Sequence, residues 1–241
     1  MKRLAALMLM MGCVAMAAMG EDNIDGFVAR LYRTRSGQTM PYRLFVPPGY
    51  DKSNAYPLVL WLHGAGGIGK DNRRQIQHDQ VPGTHLWTKR ENQTRHPAFV
   101  VVPQSTMAWS GNELSLIPGL LDAVASDFNI DLHRIYVLGQ SIGGQAAWQI
   151  VTDVPDRFAA AVFVCSVGAR ETHAKQVVNL PLWAFEGSND TPVARTRAMI
   201  AAIRKAGGNP RYTEYPGMGH SIWDRVFREP ELVDWLFAQH R

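Results

Sequence analysis

The stretch from Ile135 to Trp148, which reads IYVLGQSIGGQAAW, decides how the chain folds. Its first four residues are apolar and typical of a buried strand, and its last four favour a helix. Between them lies a G-x-S-x-G motif centred on Ser141. A sharp strand-to-helix turn needs small residues on both sides and exposes the hydroxyl at its apex. We predict that Ser141 is a nucleophile and that the backbone N–H of Ile142 is an oxyanion donor. The alternative is a glycine-rich turn whose serine has no role.

On both sides of this turn, short apolar runs alternate with amphipathic stretches. We predict strands at Phe27–Arg33, Tyr42–Val46, Leu58–Leu62, Phe99–Val102, Arg134–Leu138, Ala159–Cys165, Leu182–Phe185 and Arg211–Tyr215. We predict helices at Leu114–Asp127, Ile142–Thr152, Pro192–Lys205 and Pro230–His240. A short turn joins the first two strands as a hairpin, and the later strand–helix alternation predicts a parallel sheet. The predicted fold class is α/β, with a mostly parallel sheet of about eight strands flanked by helices.

A second loop follows the predicted strand Leu58–Leu62 and reads HGAGG from His63 to Gly67. Small residues let the backbone approach a substrate carbonyl, so we predict Ala65 N–H as the second oxyanion donor. His63 comes too early in the chain for the usual general base. We interpret it as a structural histidine that bonds the loop backbone.

The acid and the base are predicted from chain order. Asp190 follows the strand Leu182–Phe185, and His220 lies on a glycine-containing loop near the C-terminus. The order Ser, Asp, His predicts His220 as general base and Asp190 as the acid that orients it. Two alternatives stay open here. Asp190 would also suit a helix N-cap, and Glu186 is the second candidate for the acid.

The N-terminus has the organisation of a leader. Lys2 and Arg3 precede an apolar run from Leu4 to Met19, which is short for a membrane span. We predict a signal peptide over residues 1–20, a catalytic domain over 21–241, and a secreted or periplasmic protein without a transmembrane span in its mature chain. The sequence before Cys13 loosely resembles a lipobox, so a lipid anchor through Cys13 is the alternative.

Composition excludes several other classes. The chain has 241 residues, of which 46% are hydrophobic and 19% charged, as in an ordinary globular domain. Two of the 25 basic residues lie in the leader, the rest nearly balance 21 acidic ones, and no basic cluster indicates nucleic-acid binding. The histidines show no metal-ligand spacing, so we expect no metal and no cofactor. Cys165, in an apolar stretch, is interpreted as a buried core thiol.

A family resemblance rests on several stretches spread over Tyr42–Arg241: FVPPGY from Phe45, LHGAGG from Leu62, NID from Asn129, SIGGQAAW from Ser141, DRFAA from Asp156 and GMGHSIW from Gly217. The chain resembles bacterial α/β-hydrolase esterases of the predicted-peptidase, polyhydroxybutyrate-depolymerase-like and carbohydrate-esterase type, which include feruloyl and acetyl xylan esterases. The resemblance implies the α/β-hydrolase fold and a triad of Ser141, Asp190 and His220. Two positions depart from it: Glu186 stands where many relatives have His, and Gln140 replaces an apolar residue.

The connection from Cys165 to Leu180 is too short for the large cap domain of many relatives. An uncapped site suits esters carried on a bulky polymer. We therefore expect a serine carboxylesterase that works through an acyl-enzyme on small-molecule or polysaccharide esters, with acyl or hydroxycinnamoyl groups. Trp109, Trp223 and Gln140 are predicted to contact substrate, although packing is the alternative for the tryptophans. A serine peptidase of the prolyl-oligopeptidase type and a non-catalytic binding protein are the alternative functions.

Overall fold

The structure is a computed structural model that describes residues 22–109, 111–166 and 170–241. The predicted leader, with Cys13, lies outside the described residues. The described strands are β1 (Asn23–Ile24), β2 (Phe27–Arg33), β3 (Thr39–Phe45), β4 (Tyr56–Leu62), β5 (Phe99–Pro103), β6 (Ile130–Gln140), β7 (Ala160–Val164), β8 (Leu182–Gly187) and β9 (Arg211–Tyr215). They form one sheet in the order β1-β2-β3-β5-β4-β6-β7-β8-β9.

The sheet changes character along this order. Neighbouring strands pair antiparallel from β1 through β2 and β3 to β5. From β5 through β4, β6, β7 and β8 to β9, neighbouring strands pair in parallel. An antiparallel start leading into a parallel sheet is what the sequence predicts. The strand that was not predicted, β1, has only two residues, too few to show an alternating pattern.

The described α-helices are α1 (Val81–His85), α2 (Arg90–Arg95), α3 (Gly111–Leu114), α4 (Ile117–Asp127), α5 (Ile142–Asp153), α6 (Val193–Lys205), α7 (Trp223–Val226) and α8 (Leu232–Phe237). The helix predicted over Leu114–Asp127 is shorter than expected, because α4 begins only at Ile117 and has Pro118 in its first turn, where proline is favoured. The last predicted helix is shorter too. The remaining short helices, α1, α2, α3 and α7, have too few residues for a recognisable period.

The core lies on both faces of the sheet because side chains alternate along each strand. In β4, Leu58, Leu60 and Leu62 join the cluster formed with α4, α5 and α6. Val59 and Trp61 point to the opposite cluster, which α7 and α8 cover. A strand buried on both faces reads as a continuous apolar run, which is typical of parallel sheets between helices.

The carboxyl ends of β4, β6, β7 and β8 share one edge of the sheet, where open α/β sheets bind ligands. The connection from β7 to β8 spans residues 165–181, and its described part forms one 3₁₀ segment, Glu171–Val177, instead of a cap domain. No helix in the described residues is long and apolar enough to cross a bilayer.

Candidate active site

Ser141 lies at the turn between β6 and α5 with φ 55° and ψ −122°, a conformation that non-glycine residues rarely adopt. The two flanking glycines make this turn sterically feasible. A Cβ on Gly139 would lie 2.2 Å from the Gly143 carbonyl oxygen, and one on Gly143 would lie 2.0 Å from the Leu62 oxygen. Backbone close approach therefore explains both glycines of the motif.

Three side chains from separate loops, Ser141, His220 and Asp190, form one hydrogen-bonded series. His220 Nε2 lies 2.9 Å from Ser141 Oγ, and His220 Nδ1 lies 2.7 Å from Asp190 Oδ2. The other oxygen, Oδ1 of Asp190, accepts the N–H of Thr191 at 2.8 Å. Asp190 therefore faces His220 and makes no side-chain cap on α6. Since an aspartate accepts from Nδ1–H, Nε2 is free to accept the Ser141 proton.

The loop that carries His220 is held against the end of β8. Asn189 N–H donates to the Met218 carbonyl at 2.9 Å, and a Cβ on Gly187 would lie 2.3 Å from the Gly219 carbonyl oxygen. Trp223 packs edge-on against the imidazole of His220, with ring centroids 5.3 Å apart. The tryptophan predicted to contact substrate thus flanks the predicted base, and it is partly buried.

The two predicted oxyanion donors occupy equivalent local positions. Ala65 is the first residue of the 3₁₀ segment Ala65–Gly67, and Ile142 is the first residue of α5. The N–H groups that open a helix have no acceptor within that helix. Gly64 N–H donates to Gln80 Oε1 at 2.9 Å, which fixes the loop just before Ala65.

His63 is fully buried beneath this loop. Its Nδ1–H donates to the Gly64 carbonyl at 2.7 Å, and its Nε2 accepts from Ser105 N–H at 2.9 Å. Burial lowers the pKa of His63 to about 4, so the ring is neutral at physiological pH. The interpretation of His63 as a structural histidine is confirmed.

Gln140 is not part of the cleft. Its side chain is fully buried, its Nε2 donates to the Asp79 carbonyl at 3.1 Å, and it fills the space beside Gly64, where a Cβ would lie 3.3 Å away. The prediction that Gln140 contacts substrate is wrong for this structure, because no part of the side chain reaches solvent. The buried amide of Gln140 hydrogen-bonds the backbone at Asp79, which an apolar side chain could not do.

Trp109 is also mostly buried, and its side chain is hydrogen-bonded to the backbone. Its side chain is 6% exposed, and its Nε1–H donates to the His63 carbonyl at 3.0 Å. The segment before it is fixed by Glu113, which accepts from the Ser105 hydroxyl and from the Thr106 N–H, each at 2.6 Å. Burial opposes ionisation of Glu113, but these hydrogen bonds lower its pKa overall. Sequence reasoning missed Glu113 because no motif marks it.

A cavity of about 510 Å³ runs from Ile142 along α5; we call it the α5 groove. Its apolar lining includes Trp109, Leu114, Pro118, Ile142, Ala146 and Ile150. Two amide side chains, Gln145 and Gln149, line it from the exposed face of α5. The predicted substrate contact at Trp109 therefore borders a real cavity, although most of its ring is packed in the core.

Glu186, the alternative acid, does not reach His220. It is 1% exposed at the end of β8, and its Oε1 accepts from Thr196 Oγ1 at 2.7 Å and from Ser166 N–H at 3.0 Å. Burial raises the pKa of Glu186 to about 7. The structure thus places Asp190 against His220 and turns Glu186 toward α6.

Comparisons with known proteins agree with this architecture. A sequence profile of the Dienelactone hydrolase family matches residues 86–228, more than half of the chain and a range that contains Ser141, Asp190 and His220. A probable feruloyl esterase C of Aspergillus terreus is 30% identical over 133 residues, which are 53% of this chain and 46% of that protein. A probable feruloyl esterase C of Aspergillus niger is 26% identical over 192 residues, 77% of this chain and 68% of that protein.

The crystal structure of a thermostable esterase superimposes with a TM-score of 0.86 at 32% identity, covering 90% of this chain and 64% of that one. The chain thus spans less than half of the A. terreus protein and about two thirds of the other two. The predicted fold and the resemblance to α/β-hydrolase esterases are confirmed.

Proposed function

Because this chain belongs to the dienelactone hydrolase family, we propose that it is a serine carboxylesterase whose catalytic triad is Ser141, His220 and Asp190. The observation that carries the proposal is the unbroken hydrogen-bonded series from Asp190 Oδ2 through His220 to Ser141 Oγ, at 2.7 and 2.9 Å. Such a series is what activation of a serine hydroxyl requires. A non-catalytic protein would have no need for the strained backbone at Ser141.

The reaction proceeds in two halves. His220 Nε2 takes the Ser141 proton while Oγ attacks the ester carbonyl, and the oxyanion accepts hydrogen bonds from the N–H groups of Ala65 and Ile142. His220 then gives that proton to the departing alcohol, which leaves an acyl-enzyme. A water molecule repeats the sequence and releases the acid. Asp190 holds the imidazole in the required tautomer and stabilises the imidazolium formed in each half.

The position of His220 determines on which side of Ser141 the alcohol and the acyl group of the ester lie. The leaving alcohol has to lie beside His220, since Nε2 protonates it, so the acyl group extends to the other side of Ser141. The α5 groove begins there, at Ile142. Its apolar floor suits an extended or aromatic acyl group, and Gln145 and Gln149 offer hydrogen bonds to a polar substituent.

These features favour hydroxycinnamoyl esters as substrates, and the names of the two Aspergillus relatives support the same class. On the alcohol side, the His220 side chain is 45% exposed and no cap domain covers it within the described residues. An open alcohol side accommodates an ester attached to a polysaccharide.

Export is part of the proposal and is supported by the leader-like sequence of residues 1–20. The mass of the mature protein recovered from the periplasm or the medium tests it. Cleavage near residue 20 is the expected result, and a lipid-modified N-terminal Cys13 would replace it with a membrane anchor. A full-length chain retained in the cytoplasm would contradict export.

Hydrolysis rates on a matched pair of substrates test the activity. We expect methyl ferulate to be hydrolysed with a kcat/KM far above that of the corresponding ferulic amide, and Ser141→Ala to lower kcat by about 10⁶-fold. Circular dichroism shows whether the variant remains folded. Faster cleavage of the amide would identify a peptidase or amidase, and a folded wild-type protein that cleaves neither substrate would refute the proposal.

A further inference from the structure

Next to Asp190 lies a buried group of polar side chains that the mechanism does not use. We call Cys165, Glu186 and Thr196 the Glu186 cluster. Cys165 follows β7, Glu186 lies near the end of β8, and Thr196 lies on α6. Their side chains are at most 1% exposed. Three separate elements therefore bring a carboxyl, a thiol and a hydroxyl together, and the thiol lies close to Asp190.

The surroundings of Glu186 favour a neutral carboxyl. Its Oε1 accepts from Thr196 and from the Ser166 N–H, whereas its Oε2 is buried without a formed hydrogen bond. A buried carboxylate oxygen without a donor is strongly disfavoured, and protonation of that oxygen removes the penalty. Burial, followed by the charge of Asp190, raises the pKa of Glu186 to about 7 and outweighs the hydrogen bonds from Thr196, Ser166 and Cys165, which act in the opposite direction.

Among the residues that the structure describes, the titratable groups that face Glu186 supply no balancing cation. They are Asp190 on the loop after β8, Cys165 after β7 and Tyr212 on β9. The guanidinium of Arg197 on α6 is held by the Glu214 carboxylate at 2.5 Å. The charge state of the cluster therefore depends on the proton of Glu186.

Cys165 connects this carboxyl to the triad. Its Sγ, an Asp190 carboxylate oxygen and a His220 ring nitrogen all lie within 4.8 Å of one another. The thiol interacts with the carboxyls of both Glu186 and Asp190. Burial raises the pKa of Cys165, so the thiol keeps its proton and has it to donate. A φ of 45° at Cys165 turns the chain sharply at the end of β7.

We propose that Glu186 is a positioning residue for the triad: its neutral carboxyl donates a hydrogen bond to Cys165 Sγ, and the Cys165 thiol donates to Asp190. This inference rests on the proposed triad. In this arrangement Asp190 is the single anion of the site and is held from behind with its Oδ2 toward His220. Glu186 touches neither the substrate nor the reacting atoms and acts through Asp190 alone.

The protonation state of Glu186 makes the activity depend on pH. When Glu186 loses its proton, it competes with Asp190 for the thiol proton and repels the Asp190 carboxylate. Both effects loosen the contact between Asp190 and His220. Wild-type kcat therefore falls as pH rises through the titration of Glu186, while KM stays nearly constant because the substrate does not contact the cluster.

The first experiment compares pH profiles of kcat and KM between pH 5.5 and 9 for the wild type, Glu186→Gln and Glu91→Gln. Gln has the shape of the neutral acid, so the Glu186→Gln profile should lack the alkaline fall of about threefold or more that the wild type shows. Glu91 is an exposed carboxyl on α2, outside the cluster, so Glu91→Gln should keep the wild-type profile. Coincident profiles of wild type and Glu186→Gln would overturn the inference.

A second measurement needs neither turnover nor a folded Glu186 variant. Carbon-13 NMR of protein labelled at the glutamate carboxyls should show one resonance that titrates near pH 7, and Asp190→Asn should move its midpoint to lower pH by removing a negative charge. Glutamates that all titrate below about pH 5 would overturn the inference. A titration near pH 7 in a protein that cleaves no ester would leave the cluster intact and count against the esterase proposal alone.

Discussion

The two ends of the hydrogen-bonded series at the active site are built in different ways. At the Ser141 end the backbone does the positioning. Gly139 and Gly143 have no side chain, so other main-chain atoms can approach closely where a Cβ would lie. At the Asp190 end the Thr191 N–H holds Oδ1, and in our proposal the buried thiol of Cys165 and carboxyl of Glu186 position the rest of the carboxylate. We infer that the Ser141 end is sensitive to added atoms and the Asp190 end to changed charge.

A change of charge at the Asp190 end should have the largest effect. Asp190→Asn should lower kcat by about 10⁴-fold, because an amide favours the wrong tautomer of His220. Glu186→Gln should change kcat at pH 6 by less than about threefold, because the carboxyl it replaces is neutral there. Steady-state kinetics of both variants make the test. If Glu186→Gln loses as much kcat as Asp190→Asn, Glu186, the second candidate in the sequence analysis, would be the acid that orients His220.

Adding one methyl group tests the serine end. Gly143→Ala places a Cβ about 2.0 Å from the Leu62 carbonyl oxygen, so the turn has to move and Ser141 with it. We expect a loss of about 10²-fold in kcat from a displacement near 1 Å, together with a lower thermal midpoint. Gly111→Ala is the matched control, since a Cβ there meets nothing within 4 Å; because Gly111 lines the α5 groove, both variants are assayed with 4-nitrophenyl acetate, whose acyl group is short. Unchanged kinetics in Gly143→Ala would contradict the steric account.

The α5 groove provides a smaller and more selective effect. Gln145→Trp adds bulk at an exposed position near Ile142, so kcat/KM for methyl ferulate should fall about tenfold through lost acyl binding. Activity toward 4-nitrophenyl acetate, whose acyl group is too short to fill the groove, should change by less than about twofold. Thr94→Trp, on the distant helix α2, is the control. Equal losses on both substrates would place the ferulate ring outside the groove.

Buried His63 and Glu186 should affect stability with opposite signs. The pKa of His63 is lowered to about 4, so its contribution is present above pH 6.5 and is lost as pH falls toward 4. The pKa of Glu186 is raised to about 7, so its contribution is present below pH 4.5 and is lost as pH rises through 7. Each amounts to about 3 kcal/mol at most.

Urea unfolding of the wild type, His63→Gln and Glu186→Gln at pH 4.5, 6 and 7.5 measures these contributions. Relative to the wild type, Glu186→Gln should gain stability with rising pH and His63→Gln should lose it. Parallel curves for all three proteins would mean that neither group is shifted by burial.

Local constraints explain which parts of the molecule could be predicted. A tight turn leaves a mark in neighbouring residues, so the G-x-S-x-G motif indicated Ser141 and its flanking strand and helix. Chain order was enough to predict Asp190 as the acid and His220 as the base, and to place both at one edge of the sheet. Continuous apolar runs likewise predicted the central strands.

Contacts between distant residues explain what could not be predicted. Gln140 adjoins Ser141 in sequence, yet it is buried by the segment around Asp79, which no local pattern connects to it. Glu113 fixes the loop before Trp109 without belonging to any motif. The cluster of Cys165, Glu186 and Thr196 joins three elements whose side-chain packing has no periodic signature.

Covalent labelling tests the central claim, that Ser141 is an activated nucleophile, most directly. A fluorophosphonate reacts with a serine whose proton a neighbouring base removes, so intact-protein mass spectrometry should show a single adduct on the wild type. Peptide mapping should locate it at Ser141, and Ser141→Ala should remain unmodified although folded. A folded wild-type protein that stays unlabelled, or an adduct that persists in Ser141→Ala, would contradict the account.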